Sequence, residues 1–405
     1  MGVLYLAFFL TLLFTPNDIN SKVLLAMGIL SLLYINKSAL QWSLKRHYPL
    51  LALFLWMVIS LSYSQDLSMG LDKIQRASIL PSAILIFSGL RLSKKQTALV
   101  LNLFVGLVAL ACVYSHITTV VQFLSNGETE LRALFNLNYS YLSLGNTLDL
   151  HPTYYAFIIL SAILVLLHNL CRQTSVSKKI ILLLGIAYFS FFIFHLSSRI
   201  GIMILYVIIM YQIFRYIIRN KTLKKGLIFL LAFHVFLFVL ISQIGVTKYR
   251  FQHIFGFEYY TGYQVNDGNH KLALWRAAGN ANKQFLFGNG IGDVGASLIE
   301  QFETSDLSRP AEKKYNSHNQ YIEYFVGVGF VGVLLFCYLL YFYFRKFYKE
   351  NNIIGVQFVV TLAIFCITEC VWNRHHGIVF SVMMLGLLSF VNVKEEPKTP
   401  VGLHQ

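Results

Sequence analysis

His318 carries the side chain best matched to accepting a proton near neutral pH. It lies in Ser317-His318-Asn319-Gln320-Tyr321, where a long polar segment, 247–319, meets an apolar run. Glu323 follows on the same predicted helix and can face the same space. The competing reading of His318 is an interfacial residue anchored by hydrogen bonds. Two arginines offer complementary chemistry. Arg199 sits in Ser197-Ser198-Arg199-Ile200-Gly201, a very short hairpin between apolar runs. An arginine there needs an anionic partner or a water-filled cavity, unless it snorkels to lipid headgroups. Guanidinium binds phosphate oxygens bidentately, so a phosphate or diphosphate is the anion it suits. Arg276 lies in His270-Lys271-Leu272-Ala273-Leu274-Trp275-Arg276-Ala277-Ala278, a predicted short helix with Asp267 or Asn269 as its cap. A solvated loop arginine is the alternative.

Phe287-Gly288-Asn289-Gly290-Ile291-Gly292 has glycine at alternate positions. No predicted strand precedes it and the spacing is not that of a nucleotide loop, so the expectation is a tight turn packed on the membrane face. Arg76, Arg374, Tyr321 and Glu323 are further substrate-binding candidates, placed by topology. Glu369 and His195 lie near span ends and border the same region. His375 and His376 form a second external patch; adjacent histidines on a helix point apart, which disfavours a shared metal. Cys366 and Cys370, one turn apart, fall on one helix face without a second ligand pair, so no metal centre is expected. Cys112, Cys171 and Cys337 also fall in or beside apolar runs, which argues against a disulfide framework.

These side chains must be positioned by membrane helices. Hydrophobic residues make up 56% of the chain and charged ones 13%, with a mean hydropathy of +0.60; a soluble chain carries about twice that charge fraction. The apolar runs are continuous, which excludes a β-barrel. The expectation is an all-α polytopic membrane protein with spans near 1–15, 22–36, 49–63, 77–90, 97–123, 152–171, 180–196, 200–218, 226–246, 320–344, 353–371 and 377–393. The start lacks a basic n-region and a cleavage site, so 1–15 reads as a first helix and not a signal peptide. Pro16 and Pro49 fall at span ends, and Pro81 is expected to kink the fourth span.

The net charge of +15 does not indicate nucleic acid, because the cations are scattered between apolar runs. They follow topology instead. Lys37, Lys45, Arg46, Arg91, Lys94, Lys95, Arg172, Lys178, Lys179, Arg215, Arg219, Lys221, Lys224, Lys225, Arg345, Lys346, Lys349, Lys394 and Lys398 fall on one side. Only Lys22, Lys73, Arg76, Arg132, Arg199 and Arg374 occupy the short loops of the other. This bias puts both termini in the cytoplasm and the long segments 124–151 and 247–319 outside. The organisation expected is helices 1–9 over 1–246, an external loop with the catalytic and substrate residues over 247–319, helices 10–12 over 320–393, and a cytoplasmic tail over 394–405.

Taken in order, Ser-Ser-Arg-Ile-Gly at span eight, Leu-Trp-Arg-Ala-Ala, Phe-Gly-Asn-Gly-Ile-Gly, and Ser-His-Asn-Gln-Tyr-Ile-Glu leading into Gly327-Val328-Gly329-Phe330-Val331-Gly332 form a pattern. With the span count and the loop between helices 9 and 10, it resembles the O-antigen ligase / O-antigen polymerase superfamily of bacterial envelope enzymes. The likeness is strongest over 190–335. It implies a GT-C-like architecture in the bacterial inner membrane, with a periplasmic loop. It implies a glycosyltransferase moving a glycan from undecaprenyl diphosphate to a sugar hydroxyl of lipid A-core. In a polymerase the acceptor is another lipid-linked repeat unit. Under this reading His318, Arg276 and Arg199 are catalytic: His318 activates the hydroxyl, and the arginines stabilise the leaving diphosphate. Inversion, no cofactor and no metal are expected; no external loop holds an Asp-x-Asp pair. A lipid-linked glycan flippase and a protein O-glycan transferase are the competing classes. A transporter should show internal repeats, and none is visible.

Overall fold

The computed structural model describes residues 1–220, scattered residues between 224 and 247, and 267–392. The described residues form helices and their connections. In chain order they are α1 (Gly2–Phe14), α2 (Asn17–Leu32), α3 (Lys37–Leu61), α4 (Leu67–Ala77), α5 (Ile79–Gly89), α6 (Lys94–Ser125), α7 (Leu142–Asn146), α8 (Pro152–Arg172), α9 (Val176–His195) and α10 (Arg199–Asn220). Then come α11 (Asp267–Asn280), α12 (Val294–Thr304), α13 (Ser308–Glu312), α14 (Gln320–Lys349), α15 (Ile353–Thr368) and α16 (His375–Leu388). Among the described residues, α3, α6, α8, α9 and α14 are long and apolar enough to cross a membrane, and α1, α15 and α16 are shorter apolar helices. That is the build of a multi-pass membrane protein. The span expected over 226–246 lies largely outside the described residues, as do 248–266 and the tail from 393.

Several boundaries differ from the sequence reading, each for a local reason. The helix expected from 49 starts twelve residues earlier, at Lys37, because the Asn36 side chain caps it by accepting from Ala39 N at 2.8 Å. Pro49 therefore lies buried inside α3 and not at a span end. Pro81 falls in the first turn of α5, where its missing N–H costs least; the break comes at Ser78. α6 begins in a reciprocal capping box, Ser93 with Gln96. Cys370 lies beyond the end of α15, so it and Cys366 do not share a helix face.

Contacts at the two ends of the bundle match the charge grouping. At one end Arg46 pairs with Glu350, and the Arg46 and Arg91 guanidinium groups cover Trp42. At the other, Tyr63 donates to Phe287 O at 2.7 Å, and Arg76 to Asn373 O at 3.2 Å. Asp293 accepts from Gln65 N and Asp66 N, both at 2.8 Å, tying the loop to the α3–α4 corner.

The largest departure from a regular bundle is in α14. Gly329 has φ 71° and ψ −172°, which interrupts the helix. Ending a helix leaves carbonyls without partners, and four are satisfied from outside. Asn282 Nδ2 donates to Phe325 O (2.7 Å), Asn289 N to Val326 O (2.8 Å), Gly290 N to Gly327 O (3.0 Å) and Trp56 Nε1 to Val328 O (2.8 Å). Phe330 N and Val331 N donate to Phe285 O and Leu286 O. The glycine-rich run is thus a turn, as expected, and its backbone is laid into a broken helix. Gly288 has no room for a Cβ beside the Gly327 and Gly329 backbone. The lower half of α14, Phe330 to Lys349, is about 30 Å long, enough to cross a membrane by itself. The upper half carries Glu323 and docks with Leu274, Ala277, Ala278, Leu298 and Phe302 of the loop in a small second core through Val326.

The Asp293 clamp is testable. Asp293→Ala removes two charge-assisted bonds and is expected to cost about 1–3 kcal/mol, read as a lower melting temperature in detergent. An unchanged melt would show that the glycine contacts hold the loop alone.

Candidate active site

Three segments build the site: the loop end 315–319, the start of α14, and the turn 369–374 between α15 and α16. Asn319 caps α14, its side chain accepting from Tyr321 N (3.0 Å) and Ile322 N (3.2 Å). That cap turns the chain sharply, and His318 adopts φ 47°. Its ring then points at Glu369, with Nδ1 3.2 Å from Oε2. The pair stays partly open, with His318 33% and Glu369 16% exposed. The Tyr315 ring meets His318 edge-on. Lys271 of α11 donates to Thr368 O at 3.4 Å beside it.

Glu323 is buried, and both its oxygens are engaged. Ser317 Oγ donates to Oε2 at 2.8 Å, Ser317 N to the same oxygen at 3.2 Å, and Asn373 Nδ2 to Oε1 at 2.7 Å. The carboxylate therefore joins the His318 loop to the 369–374 turn. Beside it is a cavity of about 60 Å³ walled by Lys73, Arg76, Ile291, Glu323, Tyr324, Trp372 and Asn373. A space of that size holds a few water molecules and not a glycan. Loss of water around the Lys73 ammonium holds its pKa below the ordinary lysine value, with Glu323 pulling the other way. Two buried donors, Gln320 Nε2 and Trp372 Nε1, have no acceptor among the described residues.

The structure brings Arg76, Glu323 and the His318 loop together. Arg76 also pairs with Asp72 at 2.7 Å. Tyr321 turns inward and donates to Ala363 O at 3.0 Å. Arg374 is exposed, immediately before α16. Arg199 is half-buried at the start of α10, where Ser198 Oγ accepts from Gly201 N at 3.3 Å. Arg276 is exposed on the face of α11 opposite the buried Leu274, Ala277 and Ala278, and makes no hydrogen bond or ion pair with a described residue. His195 is buried, with its ring nitrogens 3.1 Å from His116 Nε2 and 2.9 Å from Leu134 O. His375 Nε2 meets Asn20 Oδ1 at 2.9 Å.

Lys73, Ser317, Asn373 and Cys370 were not legible as site residues. Lys73 entered only the charge count, although its three-residue spacing from Arg76 places both on one face of a short helix. Cys370 read as an apolar-run cysteine; its sulfur lies 3.4 Å from Ser317 Oγ.

Fold and site together define a multi-pass helical membrane protein with a polar site where a helical loop meets one end of the bundle. Residues 181–337 match the family model described as O-Antigen ligase (Wzy_C). The matched stretch contains Arg199, Arg276, His318, Tyr321 and Glu323, and spans less than half of the 405 residues. No curated protein matches the chain.

Proposed function

We propose that the chain is an O-antigen ligase-type glycosyltransferase of the bacterial inner membrane, with twelve spans and both termini cytoplasmic. It takes a glycan from undecaprenyl diphosphate and joins it to a sugar hydroxyl of lipid A-core at the periplasmic face. The observation that carries this reading is the His318–Glu369 pair, 3.2 Å apart and partly open at the loop–bundle junction inside or beside the matched domain.

With Nδ1–H held by Glu369, His318 Nε2 is left to take the acceptor's proton, and the carboxylate stabilises the imidazolium that forms. The acceptor oxygen bonds to the anomeric carbon as the bond to the diphosphate oxygen breaks, and that electron pair leaves with the lipid diphosphate. Attack opposite the leaving group inverts the centre. Charge building on the diphosphate is met by cations. Arg199 adds its charge at the positive end of the α10 helix dipole. Arg276 remains the loop's contribution and Arg374 flanks the acceptor side, whereas Tyr321, turned inward onto Ala363 O, acts only by holding the start of α14. Lys73 and Arg76 support the same role from α4, and Trp372 Nε1, on the wall of the small cavity, supplies a donor for a phosphate or sugar oxygen. Glu323 acts as a positioning residue through Ser317 and Asn373.

The test is in vitro transfer from a purified lipid-linked glycan to purified lipid A-core. Formation of the joined product supports the ligase. Elongation of one lipid-linked glycan by another, without use of lipid A-core, identifies a repeat-unit polymerase. Movement of the lipid-linked glycan across vesicles with no new glycosidic bond identifies a flippase. Exhaustive chelation is expected to leave the rate unchanged; a loss restored by added divalent cation contradicts the metal-free mechanism.

A further inference from the structure

At the end of the bundle remote from His318, α3 and α14 enclose a second cavity of about 440 Å³. Its walls hold Lys45, Arg46, Arg345, Lys346 and Lys349 against a single carboxylate, Glu350. Arg46 is committed to Glu350, and Lys346 donates to Ser389 Oγ at 2.7 Å. Lys45, Arg345 and Lys349 have no carboxylate partner among the described residues. Arg46 Nε and Glu350 Oε2 are buried and lack partners among the described residues. Tyr48, Tyr338 and Tyr341 complete the rim, and each is at least 40% exposed.

A topological charge bias places lysines and arginines in short loops. It does not bring them from two helices, separated by 304 residues between Arg46 and Glu350, around one concavity. Nor does it set exposed tyrosines beside them, the arrangement found at headgroup depth. Cations between helices with amphipathic aromatics at the rim suit a phosphate at the end of an apolar tail. A zwitterionic headgroup brings its own ammonium, which this excess of positive charge repels.

We propose that this cavity is a defined site for the headgroup of an anionic glycerophospholipid, a phosphodiester without a compensating amine. Lys45, Arg345 and Lys349 contact the phosphate, and Tyr48, Tyr338 and Tyr341 hold the glycerol region.

The experiment is lipid retention by the full chain, measured by native mass spectrometry after reconstitution in phosphatidylcholine doped with phosphatidylglycerol. Wild-type protein is expected to retain phosphatidylglycerol selectively. The triple variant Lys45→Ala, Arg345→Ala, Lys349→Ala is expected to retain at least about tenfold less, about 1.4 kcal/mol. A control triple, Lys37→Ala, Lys94→Ala, Lys95→Ala, removes three exposed cations of the same charge group that do not line the cavity. It is expected to change retention less than about twofold. If the cavity triple fails to fold, the single exposed variant Lys349→Gln serves in its place, with a drop of about threefold. Equal losses in cavity and control variants, or equal retention of phosphatidylcholine, overturn the proposal in favour of diffuse charge. Displacement of the lipid by millimolar inorganic phosphate overturns it in favour of a soluble phosphate ligand.

Discussion

Replacing His318 by Ala is expected to lower glycan transfer by about 10²–10⁴-fold, the range that a positioned general base supplies. The loss should fall on kcat and leave KM nearly unchanged, because proton transfer is an interaction of the transition state. The protein should remain folded: His318 is partly open, and the loop end is held by Ser317, Asn319 and Glu323 instead. Glu369→Gln tests the geometry separately. Gln keeps the ring in place but does not stabilise the imidazolium and can hold the wrong tautomer, so a drop of up to about 10⁴-fold is expected with the melting temperature unchanged. Full transfer by His318→Ala at normal protein levels would remove the base from the mechanism. Equal losses in both variants accompanied by a lower melting temperature would make the pair structural.

Gly329→Ala is expected to be the most destabilising single substitution in the loop–helix junction. At φ 71° and ψ −172° the backbone occupies a region essentially reserved for glycine, which costs a non-glycine residue about 1–3 kcal/mol. The added Cβ would also run into the Leu286 carbonyl, part of the backbone pairing that closes the helix break. Together these should exceed about 4 kcal/mol, as expected for strain combined with buried overpacking. The readout is the melting temperature and the detergent-soluble yield. Gly279→Ala is the matched control. Nothing lies within 4 Å of its Cβ, and its helical setting predicts a gain of about 0.4–1 kcal/mol. A Gly329→Ala protein melting with wild type would show that the junction deforms freely.

Much of the architecture was legible in the sequence because apolar runs and charge bias are additive signals. The helices α6, α8 and α9 lie close to the spans read for them, and the residues grouped by charge meet at common ends of the bundle. Helix ends were less legible, because Asn36 and Ser93 act through single caps inside otherwise continuous patterns. The break at Gly329 was hidden for a different reason. An apolar run of this length reads as one helix, and the carbonyls it frees are met by Trp56 and Asn282, far away in sequence. His318 was visible as a proton acceptor at a helix start, whereas the use of both Glu323 oxygens depends on Asn373, fifty residues on. Arg276 drew notice by its local motif, yet its exposed side of α11 depends on which face packs, and that is decided by the partner helices.

The broken helix also makes the loop and the bundle depend on each other. In lipid, each unsatisfied backbone group costs several kcal/mol, so the run from Gln320 to Lys349 has no stable broken form until the 285–290 segment is beside it. The broken form is therefore stable only with the loop folded back against it. Residues 325–331 then exchange their own helical bonds for those of Asn282, Phe285, Leu286, Asn289, Gly290 and Trp56. The junction that positions Glu323 and His318 is consequently shared property: neither the loop nor the helix holds that shape without the other.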